Sequence, residues 1–167
     1  MSTDEFFTAP WSMLLIIITI ISCAILLGIM LLGLLTEPRG NPLWVGSMVG
    51  IPLAILVFAA AFTVRGYTLS DRTLYVQRLG WHSTIELSNL VSIDLDSQAM
   101  EDSLRIWGNG GLFSFSGAFR NQKLGRYQVY ATDPARAVVL QFRDRAIVLT
   151  PDRPEQFVGA VLRRINS

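Results

Sequence analysis

The hydrophobic pattern divides the chain into an apolar front and a back part in which apolar and polar positions alternate. Two long runs, residues 13–35 and 43–64, contain no charged side chain. A helix of either length, at about 1.5 Å per residue, reaches across a hydrocarbon core of about 30 Å. Lipid offers no hydrogen-bond partners, so the backbone groups of each run must pair within the run. The pattern therefore predicts two transmembrane helices.

A short polar segment separates the runs, so the helices are predicted to form an antiparallel hairpin over residues 12–64. Trp11 and Trp44 stand at the ends of the runs, where indole rings favour the membrane interface. Pro52 is predicted to kink the second helix. Folding the hairpin about residue 39 brings small residues of both runs together, and such faces let helices approach closely. The predicted packing residues are Ala24, Gly28, Gly46, Gly50 and Ala54, with Gly33 of the first run predicted to lie beside Gly46.

The positions of basic residues predict how the hairpin is oriented, because Lys and Arg near a span favour the cytoplasmic side. Residues 1–11 contain no basic side chain, and the turn between the runs has Arg39. Three arginines follow the second run, namely Arg65, Arg72 and Arg78. We therefore expect a multi-pass protein of the cell inner membrane. Its N-terminal segment, residues 1–11, and its domain, residues 65–167, are both predicted to be cytoplasmic.

From Tyr67 onward the apolar period is two, which is typical of strands with one buried face. Val91, Ile93 and Leu95 alternate with polar residues, and Phe113 and Phe115 do the same after a glycine-rich stretch, residues 108–111. That stretch is predicted to be a hairpin turn, because strand residues follow it where a phosphate-binding loop would need a helix. Roughly seven to nine such strands at this spacing predict a small antiparallel barrel or sandwich.

The last segment has a helical pattern. Asp152, Pro154 and Glu155 together are typical of a helix start. Apolar residues then recur at helical spacing, at Phe157, Val161, Leu162 and Ile165. The fold class predicted from the whole pattern is a transmembrane helical hairpin followed by a mainly antiparallel β barrel, which one C-terminal amphipathic helix closes.

Several stretches of the back part resemble bacterial pleckstrin-homology (PH) domains. They are residues 67–76, 85–93, 110–119, 131–133 and the helix start at 151–157. The resemblance implies a PH-like barrel that binds lipid headgroups, peptides or proteins, that can form homo-oligomers, and that is not an enzyme. Phosphoinositide-binding members have a basic-x-basic triplet near the first hairpin. Here the only such triplet, residues 143–145, lies in a late hairpin, which argues against that ligand.

Charge and composition narrow the function further. Ten acidic and thirteen basic residues lie in 65–167, a mixed distribution that differs from the basic stripe of nucleic-acid-binding proteins. Cys23 lies in the first apolar run and His82 is the only histidine, so no metal, cofactor or catalytic site is predicted. The candidate contacts with anionic lipid or a partner are Arg65, Arg72, Phe119, Arg120, Lys123 and Arg126.

These observations predict a non-enzymatic, membrane-anchored PH-like protein. We expect it to bind another protein or itself at the inner face of the membrane, with weak contact to anionic lipid. The alternative is an accessory subunit of a membrane transport or secretion complex, recognised through its transmembrane hairpin.

Overall fold

A computed structural model describes residues 4–36, 38 and 40–165. Its helices are α1 (Met13–Leu35), α2 (Pro42–Val45), α3 (Ile51–Ala61) and α4 (Pro154–Ile165). A π-helical segment, Gly46–Gly50, joins α2 to α3. The strands are β1 (Glu5–Thr8), β2 (Gly66–Ser70), β3 (Thr73–Gln77), β4 (His82–Glu86), β5 (Leu90–Leu95), β6 (Leu104–Gly110), β7 (Phe115–Asn121), β8 (Gly125–Ala131), β9 (Val138–Phe142) and β10 (Ala146–Leu149).

The two apolar runs form two helices that are long and apolar enough to cross a membrane. The first, α1, has the predicted bounds, and Ser12 caps it by accepting a hydrogen bond from the Leu15 N–H. The second apolar helix, Pro42–Ala61, ends three residues before the predicted 64. Val64 lies instead in the core between the sheets, fully buried. Arg39, in the predicted turn, lies outside the described residues.

An extra residue is accommodated in the second apolar helix ahead of Pro52. The Ile51 N–H donates to the carbonyl of Gly46, five residues earlier, instead of four. Proline lacks an N–H and its ring collides with the carbonyl four residues before it, so a π turn at this point relieves the conflict. One extra residue rotates the side chains on one side of the π turn by about 100° relative to those on the other.

The packing register predicted for the helix pair is wrong. No atom lies within 4 Å of the position that a Cβ would take at Gly28, Gly46 or Gly50. Ala24 and Ala54 are exposed. Gly33 does pack closely against the second helix, but beside Met48 rather than the predicted Gly46, and a Cβ at Gly33 would overlap the Met48 side chain. The π turn explains the difference, because the prediction assumed a regular helix through residues 46–50.

The N-terminal segment is part of the first sheet, which has the strand order β1-β2-β3-β4. Residues Glu5 to Thr8 pair antiparallel with Leu69 to Gly66. The prediction treated residues 1–11 as a separate cytoplasmic segment and missed this strand. Its apolar residues, Phe6 and Phe7, form too short a pattern to indicate a strand by themselves.

The second sheet has six strands in the order β5-β9-β10-β8-β7-β6. β8 and β10 are parallel, whereas the other strand pairs described are antiparallel, in line with the predicted mainly antiparallel arrangement. The two sheets do not close into the predicted barrel, because β4 and β6 each have an edge with no strand partner among the described residues. The hairpin turn predicted at residues 108–111 lies later, because Gly108 and Gly110 continue β6 and the reversal is at residues 111–114.

The central strands of the second sheet, β9 and β10, are buried on both faces. One face packs with the first sheet and α4 around Tyr67, Leu140 and Phe157. The other face contributes Val129 and Val148 to a second cluster that also contains Leu15 of α1. The start of α1 is therefore packed against the β-rich domain.

Candidate ligand-binding cavity

A cavity of about 630 Å³ separates the end of the second apolar helix from the open edges of the two sheets. One wall comes from α3, and the opposite wall comes from β6, β7 and β8. The first sheet contributes the turn between β3 and β4 and the start of β4. The lining residues used below are Ile55, Phe58, Phe62, Arg78, Trp81, Arg105, Trp107, Ser116, Gln128 and Tyr130.

The turn between β3 and β4 fastens the helix end to the domain. Gly80 has a φ of +85°, which glycine adopts without strain, and the Arg78 N–H donates to the Trp81 carbonyl. This turn aims two side chains at the last carbonyls of the helix. Arg78 Nη1 donates to Phe62 O at 2.9 Å, and Trp81 Nε1 donates to Ala61 O at 2.9 Å. Both carbonyls would otherwise lack a helical partner.

Arg78 is a cation buried at the base of the cavity, with 6% of its surface exposed. Its Nη2 donates to Ser116 Oγ at 3.2 Å, while its buried Nε has no hydrogen-bond partner. The guanidinium lies over three aromatic rings, 4.6 Å from the Trp81 ring centroid and just over 5 Å from those of Phe62 and Tyr130.

No carboxylate in the described part of the chain forms an ion pair with Arg78. Burial therefore lowers the pKa of its guanidinium from the ordinary value, and the nearby hydroxyls of Tyr130 and Tyr67 oppose that shift. The cavity thus contains a positive charge that the protein compensates only with rings and neutral acceptors.

A second arginine, Arg105, lies at the mouth of the cavity on β6. It is exposed, and its Nη1 donates to the Gly108 carbonyl at 3.3 Å. Gly108 pairs with Gly117 on β7, and a Cβ on either glycine would overlap the backbone of the facing strand. This close approach of β6 to β7 fixes the position of Arg105. None of the residues that line the cavity is acidic.

The strand β6 also presents an uncovered apolar edge next to the cavity. Leu104 is 75% exposed, Ile106 48% and Trp107 64%. The chain bulges between Arg105 and Trp107, so the ladder with β7 is locally irregular. Long apolar edge strands are usually covered in monomeric proteins, so this one is available to another chain.

The structure separates the predicted contact residues. Arg65 follows the second apolar helix closely and is exposed. Arg72 lies in the turn at the far end of β2, about 17 Å along the strand from Gly66. It is Arg78, in the next turn, that returns to the helix end. Arg72 is thus farther from the helix end than its place in the sequence suggests, and its contact with lipid or a partner stays a prediction.

The predicted basic loop also lies far from the apolar helices. Strand β7 has seven residues, about 24 Å, and the loop before it contacts α1 while the turn after it carries Lys123. Arg120 and Arg126 face each other across β7 and β8, and Lys123 pairs with Asp96 at 2.5 Å. Phe119 is buried in the core rather than exposed for contact, because its strand position points inward.

The two predicted interface tryptophans have different surroundings. Trp11 is partly exposed, and its ring centroid lies 6.2 Å from that of Phe113 in the loop between β6 and β7. Trp44 donates from Nε1 to the Gly33 carbonyl at 3.2 Å and so links the two apolar helices. Their placement at a membrane interface stays a prediction.

Among the described residues, no three His, Cys, Asp or Glu side chains come together in a group that could hold a metal ion. His82 stacks edge-on against Tyr75, with ring centroids 5.2 Å apart. The most distinctive site in the described part of the chain is the cavity lined by Arg78 and Arg105. The sequence analysis missed this cavity, although Arg78 and Trp81 on either side of Gly80, directly after β3, were its visible signal in the sequence.

The family model described as bacterial PH domain matches residues 65–165. No curated protein matches the chain, and no solved structure does. The match begins where the second apolar helix has ended and includes α4, so it covers both sheets except β1.

Proposed function

Because the chain belongs to the bacterial PH domain family, we propose that it is a membrane-anchored binding protein rather than an enzyme. The two apolar helices span the membrane as a hairpin, and the PH-like domain stands at the cytoplasmic face. It binds a partner protein there, with the membrane holding it at the site of encounter.

The pairing of β1 with β2 supports this topology. β1 precedes α1, and β2 follows the second apolar helix, yet both belong to one sheet. The two ends of the hairpin must therefore emerge on the same side of the membrane, as an even number of spans requires. The arginines after the second helix favour the cytoplasmic side.

The exposed edge of β6 is the observation that carries the proposal. Its backbone hydrogen-bonding groups on one side have no strand partner, and its apolar side chains are uncovered. A strand of a partner protein that adds to this edge would satisfy the backbone groups and bury Leu104 and Ile106. The alternative partner at this edge is a second copy of the same chain, and the experiment below distinguishes the two.

Photocrosslinking in intact cells tests this function. A photoreactive residue at position 106 is expected to give one discrete protein adduct, which Leu104→Lys abolishes. Position 91 is the matched control, since Val91 is 62% exposed on β5, the opposite edge strand of the same sheet. Two differently tagged copies show whether the adduct is a homodimer. Equal adducts at both positions, or none at 106, would contradict the proposal.

A second candidate is an accessory subunit recognised through its hairpin. It is favoured by the open space beside Gly28, Gly46 and Gly50, which the hairpin itself does not fill. A third helix could approach closely there. Under this function, Gly50→Leu abolishes association with the complex and Leu104→Lys leaves it intact. The opposite pattern favours the strand-binding function.

A further inference from the structure

We propose that the domain is partly immersed in the cytoplasmic leaflet, where lipid acyl chains cover the end of the domain nearest the apolar helices. This end, the immersed rim, consists of the turn between β3 and β4, residues 79–81, and the loop between β6 and β7, residues 111–114. Leu79 and Phe113, one from each segment, line a common hollow beside Ala60 of the second apolar helix. The inference rests on the proposed membrane-spanning hairpin, and it requires neither an anionic headgroup nor a protein partner.

The contact between α1 and the rim lies well inside the first apolar run. Thr19, which bonds to the Gly111 carbonyl and the Phe113 N–H, lies about 9 Å along the helix from its first residue. Ile17 and Ile21 are on the opposite side of the helix at the same height, and they are 47% and 54% exposed. A bilayer that covers these two isoleucines therefore has the loop of the domain at the same depth on the other side of the helix.

The lengths of the apolar helices show that the turns in contact with the rim belong to the membrane-spanning part. All of α1 reaches about 34 Å, enough for a hydrocarbon core of about 30 Å. Without those turns, residues 20–35 would reach only about 24 Å. The second apolar helix gives the same measure, because Ile55, which faces the domain across the cavity, lies about 9 Å before the helix end at Ala61. A full span therefore carries about 9 Å of the domain into the leaflet.

The charged residues of these strands are segregated away from the rim. Residues 79–85 and 106–119 contain no Asp, Glu, Lys or Arg. Charged side chains appear at the other ends of the same strands, at Arg72 in the turn before β3, at Glu86 in β4 and at Arg120 in β7. Because hydrocarbon excludes unpaired charge, this distribution is the one expected of a domain with one end in lipid and the other in water.

The arginines that adjoin the rim leave no bare charge in the hydrocarbon. Arg78 is 6% exposed, and its guanidinium lies over the ring of Trp81 at 4.6 Å. Arg65 and Arg105 are exposed, and arginine side chains at such positions extend toward the headgroups while their methylene groups stay in the apolar layer. The rim itself presents apolar surface to the lipid, since Leu79 is 52% exposed.

Spin labels at both ends of the domain test the depth of immersion. Single cysteines for labelling are introduced into the full-length chain with Cys23→Ser, which is reconstituted in vesicles of phosphatidylcholine alone. Leu79→Cys and Arg72→Cys compare the turns at the two ends of β3. Leu112→Cys and Gln122→Cys compare the two ends of β7 in the same way. Electron paramagnetic resonance measures how often each label collides with dissolved oxygen and with a water-soluble nickel chelate.

Labels at positions 79 and 112 are expected to collide mainly with oxygen, at depths of up to about 9 Å inside the hydrocarbon boundary. Labels at positions 72 and 122 are expected to collide mainly with the chelate. Equal chelate collisions at the two ends of both strands overturn the proposal, and so does protection of all four labels.

Two further variants separate this result from failure of the proposed function. Leu27→Cys places a label at an exposed residue in the middle of α1. If the chelate reaches positions 79 and 112 but not position 27, only the immersion is refuted. If it reaches position 27, the spanning hairpin is refuted and the immersion with it. Leu104→Lys, which lies opposite Arg120 at the aqueous end of β6, should abolish strand binding and leave every measured depth unchanged.

Discussion

The Oγ1 of Thr19, in the second turn of α1, accepts a hydrogen bond from the Phe113 N–H at 3.1 Å. The same hydroxyl donates to the Gly111 carbonyl at 3.3 Å. The loop between β6 and β7 thus lies beside an apolar helix, and a buried threonine satisfies its backbone. The first helix is docked on the domain at this point, as the second helix is docked through Arg78.

Thr19→Val is expected to weaken this docking, because it keeps the shape and leaves two backbone groups without a partner. The cost should be about 1–3 kcal/mol. Hydrogen exchange of the amides in residues 111–114 should accelerate, measured by mass spectrometry on the full chain in detergent. Thr36→Val is the control, because the Thr36 hydroxyl donates only within its own helix, to Leu32. Unchanged exchange in Thr19→Val would contradict the docking role.

Gly33→Leu is expected to separate the two apolar helices. A Cβ at Gly33 would overlap Met48, so the helices must shift, at a cost of about 1–3 kcal/mol. Thermal unfolding in detergent should show a lower Tm. Gly28→Leu makes the same change where there is open space, and its Tm should stay near that of the unaltered chain. Equal Tm values for the two variants would show that the close contact is elsewhere.

Phe7→Ala should destabilise the domain although residue 7 lies ahead of both apolar helices. The Phe7 ring is buried and meets Phe157 of α4 edge-on, with centroids 5.1 Å apart. Removal of a buried Phe side chain costs about 3–5 kcal/mol. Denaturant unfolding followed by tryptophan fluorescence measures the loss. Phe6→Ala, at a neighbouring exposed ring, should cost less than about 1 kcal/mol. Similar losses would contradict the role of β1 in the core.

Stability should fall at alkaline pH because of Tyr67. Its hydroxyl donates to the Tyr130 carbonyl and accepts from the Thr150 N–H, and burial raises its pKa to about 12. The folded state holds this proton more tightly than the unfolded state, whose pKa is about 10. The stabilisation is complete below pH 10 and is lost as pH rises toward 12, on the order of 2 kcal/mol.

The free energy of unfolding against pH checks this prediction. Tyr67→Phe should be less stable at neutral pH, because two buried backbone groups lose their partner, and should show a smaller decline between about pH 10 and 12. Tyr75→Phe, at a partly exposed residue of β3, should keep the full decline. An unchanged slope in Tyr67→Phe would assign the alkaline sensitivity to other groups.

The parts of the fold that were predictable have regular patterns. The length of the first apolar run predicted the bounds of α1, and the 3.6-residue hydrophobic period after Pro154 predicted the helix α4. The likeness to bacterial PH domains was confirmed. β10 was predicted only as the second arm of the late hairpin at residues 143–145, because Ala146 to Leu149 are all buried, as expected for a central strand covered on both faces, and no alternation marks them.

The candidate site was not predictable by the same means. Arg78 was counted only as one of three basic residues after the second apolar run. Its contacts with Phe62 and Ser116 depend on the return of β3 to the helix end and on the approach of β7. Phe119 was assigned to the surface because its loop is polar, but strand β7 extends past it to Asn121. Composition shows neither the contacts of Arg78 nor the extent of the strand that contains Phe119.

The pairing of β1 with β2 also constrains biosynthesis. Under the proposed topology, the ribosome makes the first strand before either span, and its partner emerges only after both spans have been delivered to the bilayer. At about 5–20 residues per second, the first strand waits several seconds. A chain with only one of its two helices inserted would keep β1 and β2 on opposite sides of the membrane, so the first sheet could not be completed in it.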